Sequence, residues 1–457
     1  MKLKQYRAFI DGKRIRDVDT GLEHDVKVNT ALFEFQRDIV KWALRRGRAA
    51  IFADCGMGKT PMQLEWAYHV PGRVIIVTPL AVAAQTCKEA EKFNVGGVRY
   101  MREDDNETEI VVTNYEMLRC FSPEKFDGIV LDESSILKSY TGKFRNKLIE
   151  EWGNVKYRLA ATATPAPNDF MELGSHAEFL GAMTRTDMLS HFFVHDGGET
   201  QKWRLKGHAE SEFWKWLCEW AVMIRRPSDL GYEDGDFKIP PMRISQITVD
   251  YEADTGGMLF ALEARTMAER RNARKSSVAK RVAAVADLVN SNRAPWIVWC
   301  DLNAESDLLK SAIPDAVEVR GSNDQETKER RLMDFTNGRT RVLITKPSIA
   351  GWGLNWQHCA HMAFTGLSDS YEQFYQALRR CWRFGQNKEV AVYVVTSSTE
   401  GAVVANIKRK ERDSEKMAQM MVEHMANINQ ENIKGTKRVD KSYKPESDVI
   451  IPSFLKG

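Results

Sequence analysis

The residues Ala53-Asp54-Cys55-Gly56-Met57-Gly58-Lys59-Thr60 have the types and order needed to hold a chain of phosphates. They lie between an apolar run, RAAIFAD over 48–54, and a helical stretch, PMQLEWAYHV. Glycines at 56 and 58, with Met57 between them, let backbone N–H groups close around phosphate oxygens, and the N-terminus of the next helix adds a favourable field. Lys59 is placed to reach the β and γ phosphates, and Thr60 to offer its hydroxyl to Mg2+. A chance Gly-Lys-Thr turn would lack the strand before and the helix after. By itself the loop says nucleotide binding and leaves the reaction open.

The reaction is suggested further on. GIVLDESS puts Asp132 and Glu133 just past another apolar run. Adjacent carboxylates at a strand end can divide two jobs, one holding the metal's water shell and the next polarising an attacking water. Asp132 is expected to serve Mg2+, and Glu133 to act as the water-activating base. An isolated Asp-Glu pair is more often a solvated turn; the upstream phosphate loop reverses that weighting. Glu133 favours hydrolysis over phosphate transfer.

These residues need a scaffold, and the apolar runs describe one. Probable strands fall at 48–54, 73–79, 109–114, 128–133 and 158–164, then at 295–301, 316–321, 341–346, 361–366 and 390–396. Continuous Val/Ile/Leu runs alternating with helical stretches predict parallel strands covered on both faces. Two α/β halves follow, at about 30–180 and 280–400. Between them, 181–280 reads as a mostly helical insertion rich in Trp and Arg, and from about 402 the chain reads as a charged helical tail. The domain boundaries expected are therefore 1–180, 181–280, 281–400 and 401–457.

The bulk numbers allow this without demanding it. Of 457 residues, 43% are hydrophobic and 28% charged, and the net charge of +3 is too small to prove a nucleic-acid partner. No run reaches the roughly 18 apolar residues of a membrane span. The basic start, MKLKQYRAFIDGKR, has no apolar stretch behind it, so no secretory leader is expected. Seven scattered cysteines form no C-x-x-C pair, which suits a cytoplasmic setting.

In this order the residues resemble helicase superfamily 2. Gln36 in LFEFQRDIVKWAL sits where that superfamily keeps its adenine-reading glutamine. TPLAV (78–82) is similar to motif Ia, TNYEML (113–118) to motif Ib, DESS (132–135) to motif II and TATP (162–165) to motif III. ITKPSIAGWGLNW (344–356) resembles motif V, and QALRRCWRFGQ (376–386) resembles motif VI. Gln376, Arg380, Arg383, Gly385 and Gln386, together with MIRRPSDL and KIPP between the halves, narrow the likeness to the SNF2-like family, in the short form seen in bacteriophages and prophages. It covers about 30–400. Two departures stand out: Ser134-Ser135 replaces the usual Ala/Gly-His of motif II, and Trp352 and Trp356 stand in motif V where Gly and Leu are commoner.

The resemblance implies two RecA-like lobes in tandem, ATP and Mg2+ as ligands, and duplex DNA as partner. Each lobe would hold part of the catalytic set, since Arg380 and Arg383 come from the second. A guanidinium brought to the γ-phosphoryl in the transition state is worth roughly 10³ to 10⁵ in rate. Gly353 would join the ATP site, and Thr162, Thr164 and Gln376 would couple the lobes. Backbone contacts to nucleic acid would come from Thr78, Pro79, Asn114 and Tyr115 in lobe one and Thr345, Lys346, Leu354 and Asn355 in lobe two.

Several features stay open or fall away. The basic stretch Arg265, Arg270, Arg271, Arg274, Lys275, Lys280 and Arg281 fits a nucleic-acid track and a solvated helix face equally. Trp203, Trp214, Trp216 and Trp220 fit a local core better than a base-stacking platform. His358-Cys359-Ala360-His361 is too tightly spaced for a tetrahedral metal site. The main reading is a DNA-stimulated ATPase that tracks along duplex. Its rivals are a helicase acting on branched DNA or R-loops and, from another class, an ATP-gated clamp with slow turnover; an RNA helicase fits DESS and motif VI less well.

Overall fold

In a computed structural model, the described residues are 20–138, 143–166, 169–195, 203–235, 237, 239–249, 276–350, 354–368, 370–398 and 401–433. The apolar runs form two parallel sheets. The first contains β1 (Arg48–Ala53), β2 (Val74–Thr78), β3 (Val98–Tyr100), β4 (Ile110–Asn114), β5 (Gly128–Asp132), β6 (Tyr157–Thr162) and, beyond a β7–β8 hairpin (Phe193–His195, Trp203–Leu205), β9 (Ala221–Ile224). Its order is β3-β4-β2-β5-β6-β1-β9. Strands β2, β4, β5 and β6 are buried at every residue, so both faces are covered, as parallel pairing requires.

The second sheet contains β10 (Met242–Val249), β11 (Trp296–Trp299), β12 (Ala316–Glu318), β13 (Val342–Thr345), β14 (His361–Thr365) and β15 (Val390–Ser397), in the order β10-β15-β14-β11-β13-β12. Every strand pair in both sheets is parallel. All ten expected strands are present, each within three residues of its expected limits. Two RecA-like α/β lobes in tandem result.

The region expected as a helical insertion divides instead between the lobes. β9 pairs with β1 and extends the first sheet, while β10 pairs with β15 over eight residues and extends the second. Both are edge strands. β9 is a buried four-residue apolar run that follows the helix Glu210–Trp220 without a break, and β10 has no buried residue, only half-buried ones at every second or third position, so β10 lacks the apolar run of a central strand. The Trp-rich helix Glu210–Trp220 places Phe213, Trp214, Trp216 and Trp220 in the first lobe's core, with Trp203 packed against it. Of the basic stretch, Arg281 is fully buried on Glu305 at 2.7 Å, which removes it from any nucleic-acid track. Arg265, Arg270, Arg271, Arg274 and Lys275 lie outside the described residues.

The C-terminal segment also differs from a free tail. Gly401–Ile433 is one helix of 33 residues, about 50 Å long at 1.5 Å per residue. Val403, Val404 and Ile407 at its start are buried in the second lobe's core, Met421 and Met425 in the first lobe's. It is a strap across both lobes.

Candidate active site: the cleft between the two sheets

In parallel sheets the loops at the carboxyl ends of the strands collect on one edge and carry the ligand site. The loop after β1, the acidic pair after β5 and the Thr162–Thr164 turn after β6 all occupy that edge of the first lobe. Gly56 and Gly58 take positive φ values of 93° and 80° there. A Cβ on Gly58 would come within 2.2 Å of Gln36 Nε2, and one on Gly56 within 2.9 Å of the Phe384 backbone nitrogen, so no other residue fits either place. Gln36 donates to the Met57 carbonyl at 2.9 Å and accepts from Phe33 N at 3.0 Å. The side chain expected to read a base is thus bonded to the loop itself. Lys59 rests on the Ala53 carbonyl at 3.0 Å, and Thr60 follows it in the first turn of the helix Lys59–His69.

Burial sets the electrostatics of the acidic pair. The Asp132 carboxyl is pushed up to about 6, first by burial and then by the Glu133 charge, against the pull of Gln63 and Lys59. Gln63 Nε2 donates to Asp132 Oδ1 at 2.7 Å, a partner that sequence pattern alone did not single out. Glu133 has a φ of +52°, a strained value for a residue with a Cβ. Its Oε2 is buried without a hydrogen-bond partner among the described residues. A divalent cation and its water shell would relieve both the buried charge and the orphaned oxygen. Thr60, Asp132 and the polarising Glu133 therefore suit Mg2+.

Where motif II would carry histidine, Ser135 is buried and only weakly bonded. Its neighbour Ser134 instead meets an imidazole from elsewhere, the Nε2 of His176 at 3.1 Å. His176 comes from the helix Leu173–Leu180 and is wholly buried, which pushes it down to about 4 and keeps it neutral.

The second lobe brings motif VI to the same cleft. Gln376 ends up on the helix Tyr371–Leu378, and Arg380 and Arg383 in the turns after it. Arg380 is buried, with its guanidinium on the Gln376 and Leu354 carbonyls, each at 3.0 Å, and on Gln376 Oε1 at 3.2 Å. It is near enough to feel the Glu133 charge. Arg383 bonds to Asn355 Oδ1 and is held down to about 10 by loss of water and by Arg380. Thr162 Oγ1 accepts from Thr164 N at 3.1 Å on the opposite wall. Gly353 lies outside the described residues.

One side chain in the cleft was not anticipated. Arg379, adjacent to the expected Arg380, crosses to the first lobe and bonds Asp54 Oδ1 at 2.6 Å and the Cys55 carbonyl at 3.1 Å. The sequence holds two arginines side by side, and only the helix end tells which faces which lobe.

The residues expected to touch nucleic acid are mostly occupied internally. Thr78, Asn114, Thr345 and Leu354 are buried. Asn114 caps its own turn by accepting from Glu116 N and Met117 N, and Tyr115 donates to the Asp132 carbonyl at 2.6 Å. Thr345 Oγ1 bonds the Val319 carbonyl at 3.1 Å. Leu354 and Asn355 serve Arg380 and Arg383. In this structure the polar atoms of these residues hold loops and arginines, while Pro79 and Lys346 are half-exposed. Trp356, fully buried and bonded to Thr336 Oγ1 at 2.9 Å, is core.

Known proteins agree with this layout. Residues 280–385 match the family model described as Helicase conserved C-terminal domain. The mouse protein named DNA annealing helicase and endonuclease ZRANB3 is 23% identical over 82% of this chain, which spans only 39% of that protein's length. A protein named p41 from Acyrthosiphon pisum secondary endosymbiont phage 1 is 22% identical over 83% of this chain and 95% of its own. The rice DEAD-box ATP-dependent RNA helicase 35A is 25% identical over 26% of this chain and 20% of its own. The matched domain, the two relatives that align along four-fifths of the chain and the paired parallel sheets support a superfamily 2 helicase of the SNF2-like type.

Proposed function

We propose that the protein is an ATP-hydrolysing motor that moves along double-stranded DNA and drives its cycle by opening and closing the cleft between its lobes. One observation carries the reading. Four of the buried polar atoms without partners among the described residues lie in the segments that form both walls: Glu133 Oε2 and Thr164 Oγ1 on one, Gln376 Nε2 and Arg383 Nε on the other. An orphaned buried polar atom costs about 1–3 kcal/mol, so the cleft is built for a polar ligand that satisfies both sides.

A nucleoside triphosphate supplies the missing acceptors and donors. Lys59 leaves the Ala53 carbonyl for the phosphates, and the loop amides between Gly56 and Gly58 wrap them. Beside the Gln36 helix, a cavity of about 740 Å³ lined by Phe33, Phe35, Tyr232 and Phe237 offers rings on which a base stacks. Mg2+, held by Thr60 and Asp132, would neutralise charge on the terminal phosphates. Glu133 takes the proton of the attacking water. Arg380 and Arg383 turn toward the γ-phosphoryl as its charge spreads. The cytoplasm, where nucleotide and DNA are both at hand, is part of the same proposal.

Movement on DNA needs a grip from each lobe, and backbone amides of the motif Ia, Ib and V loops supply it without reading sequence. A second reading, remodelling or annealing of branched DNA, is favoured by the name of the mouse relative. ATPase rate with no nucleic acid, duplex DNA, single-stranded DNA, forked DNA and RNA tests both. Stimulation by duplex is expected; stimulation by forked DNA alone favours the second reading, and the absence of any stimulation overturns both.

A further inference from the structure

Asp54 Oδ1 is one of the points at which the two lobes meet. It takes three polar contacts: a hydrogen bond from its own loop through Cys55 N at 2.7 Å, another from the Tyr375 hydroxyl at 2.6 Å, and an ion pair with Arg379 Nη2 at 2.6 Å. The last two donors come from the second lobe. The same Arg379 nitrogen also donates to the Cys55 carbonyl at 3.1 Å, so it touches both the side chain and the backbone of the turn that opens the phosphate loop.

Arg379 is held for this contact from its own side as well. Its guanidinium lies 4.8 Å from the Trp382 ring centroid and 5.6 Å from that of Tyr375. Trp382 is in turn fixed by its indole N–H to the Pro240 carbonyl at 2.7 Å. Burial opposes charge on both groups, and their mutual attraction, with the Tyr375 and Cys55 hydrogen bonds to Asp54, outweighs it: Asp54 stays below the usual carboxylate range and Arg379 above the usual guanidinium range. An arginine this enclosed, with an aspartate from another sheet on its tip, has little freedom to point elsewhere. Arg380 is the next residue and Arg383 one turn further, so whatever fixes Arg379 fixes the angle at which both are presented to the cleft.

We infer that Arg379, with Tyr375, is a positioning residue for hydrolysis: it clasps motif VI to Asp54, so that the phosphate loop and Arg380 and Arg383 keep one register when the cleft is shut. The kinetic part of this inference rests on the proposed ATPase; the clasp itself does not. Asp54 and Arg379 touch no substrate atom in this role. A misplacement of a catalytic group by about 1 Å can cost on the order of 100-fold in rate, which is the size of effect at stake.

The test uses the full-length chain with donor and acceptor dyes on unnatural residues at the exposed positions Tyr68 and Leu308, one on each lobe. Arg379→Gln should broaden and lengthen the dye separation without nucleotide. It should also lower kcat for ATP by at least about tenfold while changing KM by less than about threefold, because Lys59 and Gln36 are untouched. The exchange Asp54→Arg with Arg379→Asp should bring back the wild-type separation and part of kcat, which loss of general stability would not do. Should Arg379→Gln fail to fold, Tyr375→Phe deletes a single hydroxyl and carries the same expectation at smaller size. An unchanged dye separation in the folded variant, with kcat within about twofold of wild type, overturns the clasp. If wild type itself shows no ATPase, the proposed function falls, and the dye separation alone judges the clasp.

Discussion

Arg225, just past β9 in the first lobe, grips both carboxylate oxygens of Glu415 on the long C-terminal helix, at 2.8 and 2.9 Å. The pair is bidentate and half-exposed, so its strength falls with salt, but its position is informative. It lies beside a cavity of about 40 Å³ lined by Asp54, Thr164, Tyr371 and Tyr375, at the seam where the lobes meet. Asp54 lies within electrostatic range of Arg225, so strap and clasp belong to one charged network.

The strap makes a stability prediction. Met425 is fully buried in the first lobe's core although it stands some 200 residues further along the chain than the strands it covers. Met425→Ala should destabilise that lobe by about 2–5 kcal/mol. Urea unfolding followed by Trp fluorescence reads this directly, since Trp214, Trp216 and Trp220 share the same core. A loss below about 0.5 kcal/mol would return the helix to a free tail.

Lys59→Ala and Glu133→Gln should separate binding from chemistry. Without the ammonium, the terminal phosphates lose their charge partner, so nucleotide affinity and turnover both fall. Glu133→Gln keeps the shape and removes the buried negative charge beside the phosphates, so ATP is expected to bind at least as well while hydrolysis drops by orders of magnitude. Fluorescent-nucleotide titration alongside phosphate release checks the pair. Equal loss of binding in both variants would end this division of roles.

Arg383→Ala should leave nucleotide and DNA binding largely intact and lower turnover within the range of about 10³ to 10⁵ quoted for arginine fingers. Arg380→Ala should do the same and also cost stability, because Arg380 bonds the Leu354 and Gln376 carbonyls that join motif V to motif VI. Thermal melting of the two variants tells them apart: Arg380→Ala melts lower, Arg383→Ala close to wild type. DNA-stimulated hydrolysis surviving in either would place the whole active site in one lobe.

His176 makes the fold acid-sensitive. Its folded pKa lies near 4, below the ordinary 6.5, so between those values the unfolded chain binds the extra proton. Stability from this group is therefore fully present above about pH 6.5 and falls as pH drops toward 4, by up to about 3 kcal/mol. His176→Gln cannot take up that proton and keeps a partner for Ser134. Its stability relative to wild type should rise by a comparable amount between pH 7 and pH 4.5, measured by urea unfolding at each pH. Parallel pH profiles would remove His176 as the cause.

The phosphate loop, the acidic pair, the order of the motifs and ten of the strands are legible in the sequence, because each is local. A Gly-x-Gly-Lys-Thr run carries its own backbone requirement, and a buried parallel strand writes itself as consecutive apolar residues. Edge strand β10 does not, since its residues are all exposed or half-buried, and the buried run of β9 follows the helix Glu210–Trp220 without a break and reads as its continuation, so 181–280 reads as an insertion although its strands extend both sheets. The tertiary structure alone decided which polar side chains are free. Thr78, Asn114 and Thr345 have the right types for a phosphate contact, yet their atoms are already bonded within the lobes. Arg379 and Arg380 are neighbours of the same type in the turn that ends the Tyr371–Leu378 helix, yet one ends on Asp54 across the cleft and the other inside its own lobe. Ser134 and His176 stand 42 residues apart, and only the packing of the Leu173–Leu180 helix against the acidic turn brings them together. Contacts between distant segments depend on how whole elements pack, and no local pattern of residue types encodes that.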